Sequence, residues 1–176
     1  MTLEELWQLF PIILTESKCW WKDWYEEERR LLEGLLEGVG FVQINHIGST
    51  AIPEIWEKPI IDVLIEVENE KKLDEATQRL QQCGYICMSR SAARTSLNKG
   101  YTEDGFAERV FHIHLHLTGD CNEILFRDYL IAHPDEAKAY EALKQSLWKQ
   151  YEHNRDRYTQ EKAEFVNQIM QCIGNG

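Results

Sequence analysis

The sequence predicts an α/β domain: a mixed β-sheet with helices packed on it, followed by a helical C-terminal third. Three observations predict it. Strand-like and helix-like segments alternate from Phe41 to Met88, the order expected of an α/β layer. The run Ile60 to Val67, IIDVLIEV, is apolar on both faces, as in a central strand covered on both sides. From Asn122 onward the patterning is helical throughout. At 176 residues the chain reads as a single domain over 1–176, long enough to bury about two-thirds of its unfolded surface without disulfide or metal staples.

Leu3, Leu6, Trp7, Leu9 and Phe10 recur at helical spacing until Pro11 stops them, which predicts a short amphipathic helix over 2–10. Its apolar stripe would pack on the body or on a second subunit, so a homo-oligomer is compatible with it. A long helix is expected from Trp20 to Gly38, with Trp21, Trp24, Tyr25, Glu28, Leu31, Leu32, Leu35 and Leu36 on one side. Its tryptophans read as core anchors rather than a stacking platform. A strand over Phe41 to Ile47 leads into Gly48-Ser49-Thr50, a turn. A short helix is expected next, with Pro53 at an early position where its missing N–H costs nothing. After the Ile60–Val67 strand come a helix from Leu73 to Cys83, closed by Gly84, and a strand from Tyr85 to Met88.

Ser89 to Gly105 has no periodicity and many small polar residues, so a mobile surface loop is expected. Arg90, Arg94 and Lys99 would give it a phosphate-gripping flap or merely a solvated one. Phe106 to Thr118 returns to strand. There His112, His114 and His116 alternate with apolar residues and so project to one face. Helices follow from Asn122 to His133, from Pro134 to about Glu152, and from about Arg155 to Ile173, with Gly174 ending the last.

Composition narrows the function classes. Thirty acidic against nineteen basic residues give a net charge of −11, which opposes general binding to nucleic acid. No segment reaches the ~18 consecutive apolar residues of a membrane span, and MTLEELWQLFPIIL is too acidic for a leader. The five cysteines form no CxxC pair, consistent with reduced thiols. A cytoplasmic protein is expected, with neither a membrane nor a nucleic acid as partner.

HIGST, KPIID, HIHLH, FRDYLIAHP and RYTQEKAEF resemble, in order and spacing, the GrpB-like family, whose members look like the nucleotidyltransferase superfamily. The match runs from about Trp21 to Ile169. The resemblance implies a nucleotidyltransferase-like sheet. It implies Gly48, Ser49 and Thr50 at a nucleotide's phosphates, with Lys58 and Arg127 as further phosphate contacts and Asp62 as a metal-binding carboxylate thirteen residues after Ser49. The physics agrees: glycine lets backbone approach closely, and N–H groups at a helix start favour anions. A plain strand–helix turn fits Gly48-Ser49 as well. Arg127 equally suits a structural ion pair with an acidic neighbour.

One departure counts heavily. The superfamily's second carboxylate, two residues after the first, is here Leu64. Glu66 shares its face, but its Cα lies about 13 Å from that of Asp62, too far for one Mg²⁺ with oxygens at about 2.1 Å. His114 and His116, about 6.6 Å apart at Cα, are spaced to hold a transition metal with Asp62. The resemblance implies Mg²⁺ at Asp62. The set Asp62, His114 and His116 would equally take another divalent metal, Mn²⁺ or Zn²⁺, since imidazole suits Mg²⁺ poorly. Hydrogen bonds within the sheet face fit the histidines as well. An imidazole, whose free pKa is near 6.5, also suits acid–base chemistry, His114 first among the three. The expected activity is metal-dependent transfer of a nucleotidyl or phosphoryl group to a small-molecule acceptor, with Asp62 and His114 catalytic. The alternative is a degenerate nucleotide- or metal-binding accessory domain, for which Leu64 speaks.

Overall fold

The computed structural model describes residues 2–175. Helix α1 (Leu3–Leu9) begins with a Thr2/Glu5 capping box, and α2 spans Trp21–Leu35. Strand β1 (Gln43–Ile47) enters a single 3-10 turn at Ser49–Ala51, and β2 is Ile60–Val67. Then come α3 (Glu70–Gln82), β3 (Ile86–Arg90), β4 (Arg94–Thr102) and β5 (Gly105–Leu117). Three helices close the chain: α4 (Asn122–Ala132), α5 (Pro134–Tyr151) and α6 (Arg155–Gly174).

The five strands form one mixed sheet in the order β1-β2-β5-β4-β3. β2 and β5 run parallel at its centre and the other neighbours are antiparallel. Ile61, Val63, Ile65 and Val67 of β2 and Phe111, Ile113 and Leu115 of β5 face α2 and α3. They bury Trp21, Tyr25 and Leu32 of α2 and Leu73, Ala76 and Leu80 of α3 in the main core. Period-2 alternation then turns Asp62, Leu64 and Glu66 and the three histidines to the other face. The C-terminal helices build two smaller cores, around Leu130, Tyr140 and Ile169 and around Leu147 and Tyr158. Every residue of β2 is buried except Asp62, which is partly open to solvent.

Three expectations are corrected. Ser89 to Gly105 is not a mobile loop: β3 runs to Arg90, and β4 pairs with both β3 and β5. Its supposed basic flap is consumed by ion pairs, Arg90 with Asp74, Arg94 with Asp120 and Lys99 with Glu28. The helix after Gly48 is one 3-10 turn, and Pro53 lies beyond it in a turn with Glu54, whose φ is +63°. Of the tryptophans, Trp21 is buried in the main core while Trp20 is exposed. No described helix is long and apolar enough to cross a membrane.

Candidate functional site

Asp62 stands on β2 directly beside His112 of β5 and opposite Ile47 of β1. Gly48 follows Ile47 with φ +73°. A Cβ on Gly48 would fall 2.6 Å from Asp62 Oδ2. Glycine is therefore required here so that the carboxylate can lie against the Gly-Ser turn. Asp62 Oδ1 is 3.1 Å from His114 Nε2 and 3.6 Å from His112 Nδ1. His112 Nε2 is in turn 2.7 Å from the Tyr101 hydroxyl on β4.

Burial would raise the Asp62 pKa, but hydrogen bonds and charge from His112 and His114 outweigh it and hold the carboxyl far below the usual range. Burial likewise works against His114, yet its hydrogen bond to Asp62 raises the imidazole above 6.5. Both shifts favour an ionised Asp62 facing His114 Nε2.

Above this group lies a cavity of about 360 Å³, lined among others by Gly48, Ser49, Lys58, Asp62, His114 and Lys162. A second hollow of about 460 Å³ adjoins it through Gly48, Asp62, His114 and Lys162. Lys58 and Lys162 each place an ammonium 5.3 Å from the Tyr158 ring centre. Burial and the neighbouring Lys162 push Lys58 down to about 8. Burial also opposes the charge on Lys162, but Tyr140, Glu57 and Asp62 outweigh it and raise its pKa. Beneath the cavity, Glu57 pairs with the fully buried Lys144. Burial would raise Glu57, and Lys144, Lys162 and Lys58 bring it below the usual carboxylate range.

The structure thus joins Gly48, Ser49, Lys58, Asp62 and His114 around one hollow and sets the other expected residues apart. His116 does not meet Asp62. Its side chain is 4% exposed and its Nδ1 donates to the Asp120 carbonyl at 2.8 Å, so Asp62, His114 and His116 do not form one donor set. Arg127 donates to the His46 carbonyl at 2.7 Å and pairs with Asp128, locking α4 to β1. Thr50 meets His46 Nε2 at 2.9 Å. Both line a separate broad cleft with Lys18 and Lys22.

Asp62 and His114 are the residues of this hollow that could hold a metal ion. Leu64 is fully buried opposite His114, and Asp62 is the one carboxylate of the donor set. That matches a single Mg²⁺ or Mn²⁺ held by one carboxylate and substrate phosphates, whereas a two-ion clamp lacks its bridging ligand.

Lys162 is not among the expected site residues, although its spacing of four from Tyr158 puts both on one helical face. Tyr101 was hidden in the supposed loop.

Comparison with known proteins agrees with the motifs. The family described as GrpB protein matches residues 11–172. The glutamate-rich protein GrpB of Alkalihalophilus pseudofirmus is 37% identical, over 90% of this chain and 93% of that protein. UPF0157 protein YqkA of Bacillus subtilis is 35% identical over 88% of this chain, but the match spans only 44% of that longer protein. The crystal structure of GrpB from Enterococcus faecalis superposes with a TM-score of 0.68 at 29% identity, covering 89% of this chain and 99% of that one. A match at 25% identity also covers 40% of a Mycolicibacterium paratuberculosis protein named dephospho-CoA kinase.

Proposed function

Since the chain belongs to the GrpB family, we propose that its cavity binds a nucleoside triphosphate with one divalent ion and transfers a nucleotidyl or phosphoryl group to a small-molecule acceptor. The observation that carries this reading is the contact of Gly48 with the ionised Asp62 in a hollow that also holds two lysines. Lys58 and Lys162 would grip phosphate oxygens, and the N–H groups at Ser49 would complete the anion site. Asp62 would hold the ion through Oδ2, leaving Oδ1 to His114. The ion would neutralise charge on the phosphate oxygens. His114 would exchange a proton with the acceptor hydroxyl. Dephospho-CoA is one acceptor to try, suggested by the name dephospho-CoA kinase of two mycobacterial relatives that this chain matches over 40% and 36% of their length.

Buried Leu64 favours a second reading, in which the chain binds the nucleotide without turnover. Thermal melts with each of the four triphosphates and Mg²⁺ or Mn²⁺ test binding. The expected result is a rise of several degrees for wild type and much less for Asp62→Ala or Lys162→Ala. No shift with any triphosphate would overturn both readings. Release of pyrophosphate (nucleotidyl transfer) or of nucleoside diphosphate (phosphoryl transfer) in the presence of candidate acceptors separates them, and Leu64→Asp is expected to raise that release.

A further inference from the structure

His116, displaced from the Asp62 site, points to a different one. It lies near the end of β5, and the chain turns back over it through Thr118 to Cys121 before α4 begins. Three hydrogen bonds fix that turn: Thr118 N to the Val67 carbonyl at 2.9 Å, Gly119 N to Glu66 Oε2 at 3.0 Å and Asp120 N to the Leu117 carbonyl at 3.2 Å. The turn holds Asp120 Oδ2 at 3.7 Å and the first turn of α4 holds Glu123 Oε2 at 4.0 Å from His116 Nδ1. One donor atom from each of the three residues lies within 4.8 Å of the other two.

Charge on this corner is not balanced. Buried Glu66 and the partly exposed Asp120 and Glu123 supply three carboxylates, and the Cys121 thiol sits in their field. The one arginine at the corner, Arg94, takes Asp120 through Nε and Nη2, each at 2.6 Å, and stands only 4.0 Å from Glu123. Glu123 Oε2 is buried with no hydrogen-bond partner. An unpaired buried carboxylate oxygen is costly, and here it faces a buried imidazole.

We propose that His116, Asp120 and Glu123 form a second cation site, separate from Asp62, that takes one divalent transition-metal ion and ties the start of α4 to the end of the central strands. Two donors on one tetrahedral Zn²⁺, at about 2.0–2.1 Å each, stand roughly 3.4 Å apart. From 3.7 and 4.0 Å, Asp120 and Glu123 close on Nδ1 by about 0.3 and 0.6 Å. The two carboxylates, within 4.8 Å of each other, close by at most about 1.4 Å. The Asp120 carbonyl that now accepts from Nδ1 at 2.8 Å gives way to the ion. The ion replaces the proton on His116 Nδ1, which is released, and Asp120 keeps lone pairs free beyond those that Arg94 occupies. An imidazole with two carboxylates favours Zn²⁺ or Mn²⁺ over Mg²⁺. The site does not depend on the proposed nucleotide chemistry.

The test is titration of Zn²⁺ into the chelator-treated full chain by calorimetry, with melting curves alongside. Wild type and Asp62→Ala are expected to bind one equivalent at this site with equal affinity, and Glu123→Gln to bind it at least tenfold more weakly. Because Glu123 is one-third exposed, that variant is expected to fold. Arg94→Gln supplies a second readout: it should melt lower than wild type in chelator and be restored by Zn²⁺, a rescue that Glu123→Gln in the same background abolishes. Zn²⁺ binding unchanged by Glu123→Gln, or lost in Asp62→Ala instead, overturns the proposal.

Discussion

Gly48 combines a backbone conformation that nearly excludes side chains, φ +73° with ψ −177°, with a carboxylate oxygen where its Cβ would sit. Gly48→Ala is expected to cost about 2–4 kcal/mol from backbone strain and overpacking, read by denaturant unfolding. Part of that cost belongs to the Asp62 contact and should disappear when Asp62→Ala is added, so the double-mutant cycle should show favourable coupling. Simple additivity would mean that the carboxylate does not press on the turn. His46, one residue before Ile47, makes a pH prediction. Burial, opposed only in part by Asp62, lowers its pKa to about 4, while its ring stacks on Tyr25 at 4.7 Å. Its folded pKa lies below its unfolded value near 6.5, so the unfolded chain takes up the proton first. Stability contributed by neutral His46 is therefore present above about 6.5 and lost as pH falls towards about 4. Melting temperatures of His46→Gln should fall less steeply than wild type across that window. His114 has the opposite sign: its raised pKa gives stability present below 6.5 that is lost as pH rises through the folded value.

At the scale of elements, what the sequence made legible followed from periodicity. β2 announced itself because burial on both faces demands an unbroken apolar run, and the His-x-His-x-His alternation of β5 put three imidazoles on one face. β4 was invisible because its buried positions are Thr95 and Asn98 as well as Leu97. Thr95 is satisfied by Thr77 of α3 at 3.2 Å, a partner eighteen residues away that no local pattern reveals. Gly100 looked like a loop residue, but it sits in a bulge where a Cβ would meet the Arg109 carbonyl at 2.3 Å. The split among the histidines was equally hidden. His114 goes to Asp62 and His116 to Asp120 because of the turn after β5, and alternation fixes a side chain's face without fixing its partner. Nothing local in the sequence marks Lys144 and Lys162, because a cation held inside a site differs from an exposed one only in what lies opposite it.

Across the whole molecule, an acidic chain of net charge −11 keeps its cationic cavity by clamping one connection onto one helix. The segment from Glu54 to Lys58 runs across α5, which holds it at three successive turns. Lys138 Nζ donates to the Glu54 carbonyl at 2.6 Å, Glu141 Oε2 accepts from Trp56 N at 2.6 Å, and Lys144 Nζ donates to the Trp56 carbonyl at 3.0 Å while pairing with Glu57. This clamp delivers Lys58 to the hollow and ties the helical third to the sheet. Removing one partner of a buried ion pair leaves an uncompensated charge, at a cost of about 3–5 kcal/mol. Lys144→Met is expected to destabilise by that amount in denaturant unfolding. Replacing both partners, Glu57→Leu with Lys144→Met, should recover most of the loss, because well-packed apolar groups often serve as well as a buried pair. The double variant should nevertheless bind triphosphate more weakly than wild type, since Lys58 loses the neighbouring Glu57 charge that favours its ammonium form. Recovered stability with undiminished binding would show that the clamp holds the fold without shaping the cavity.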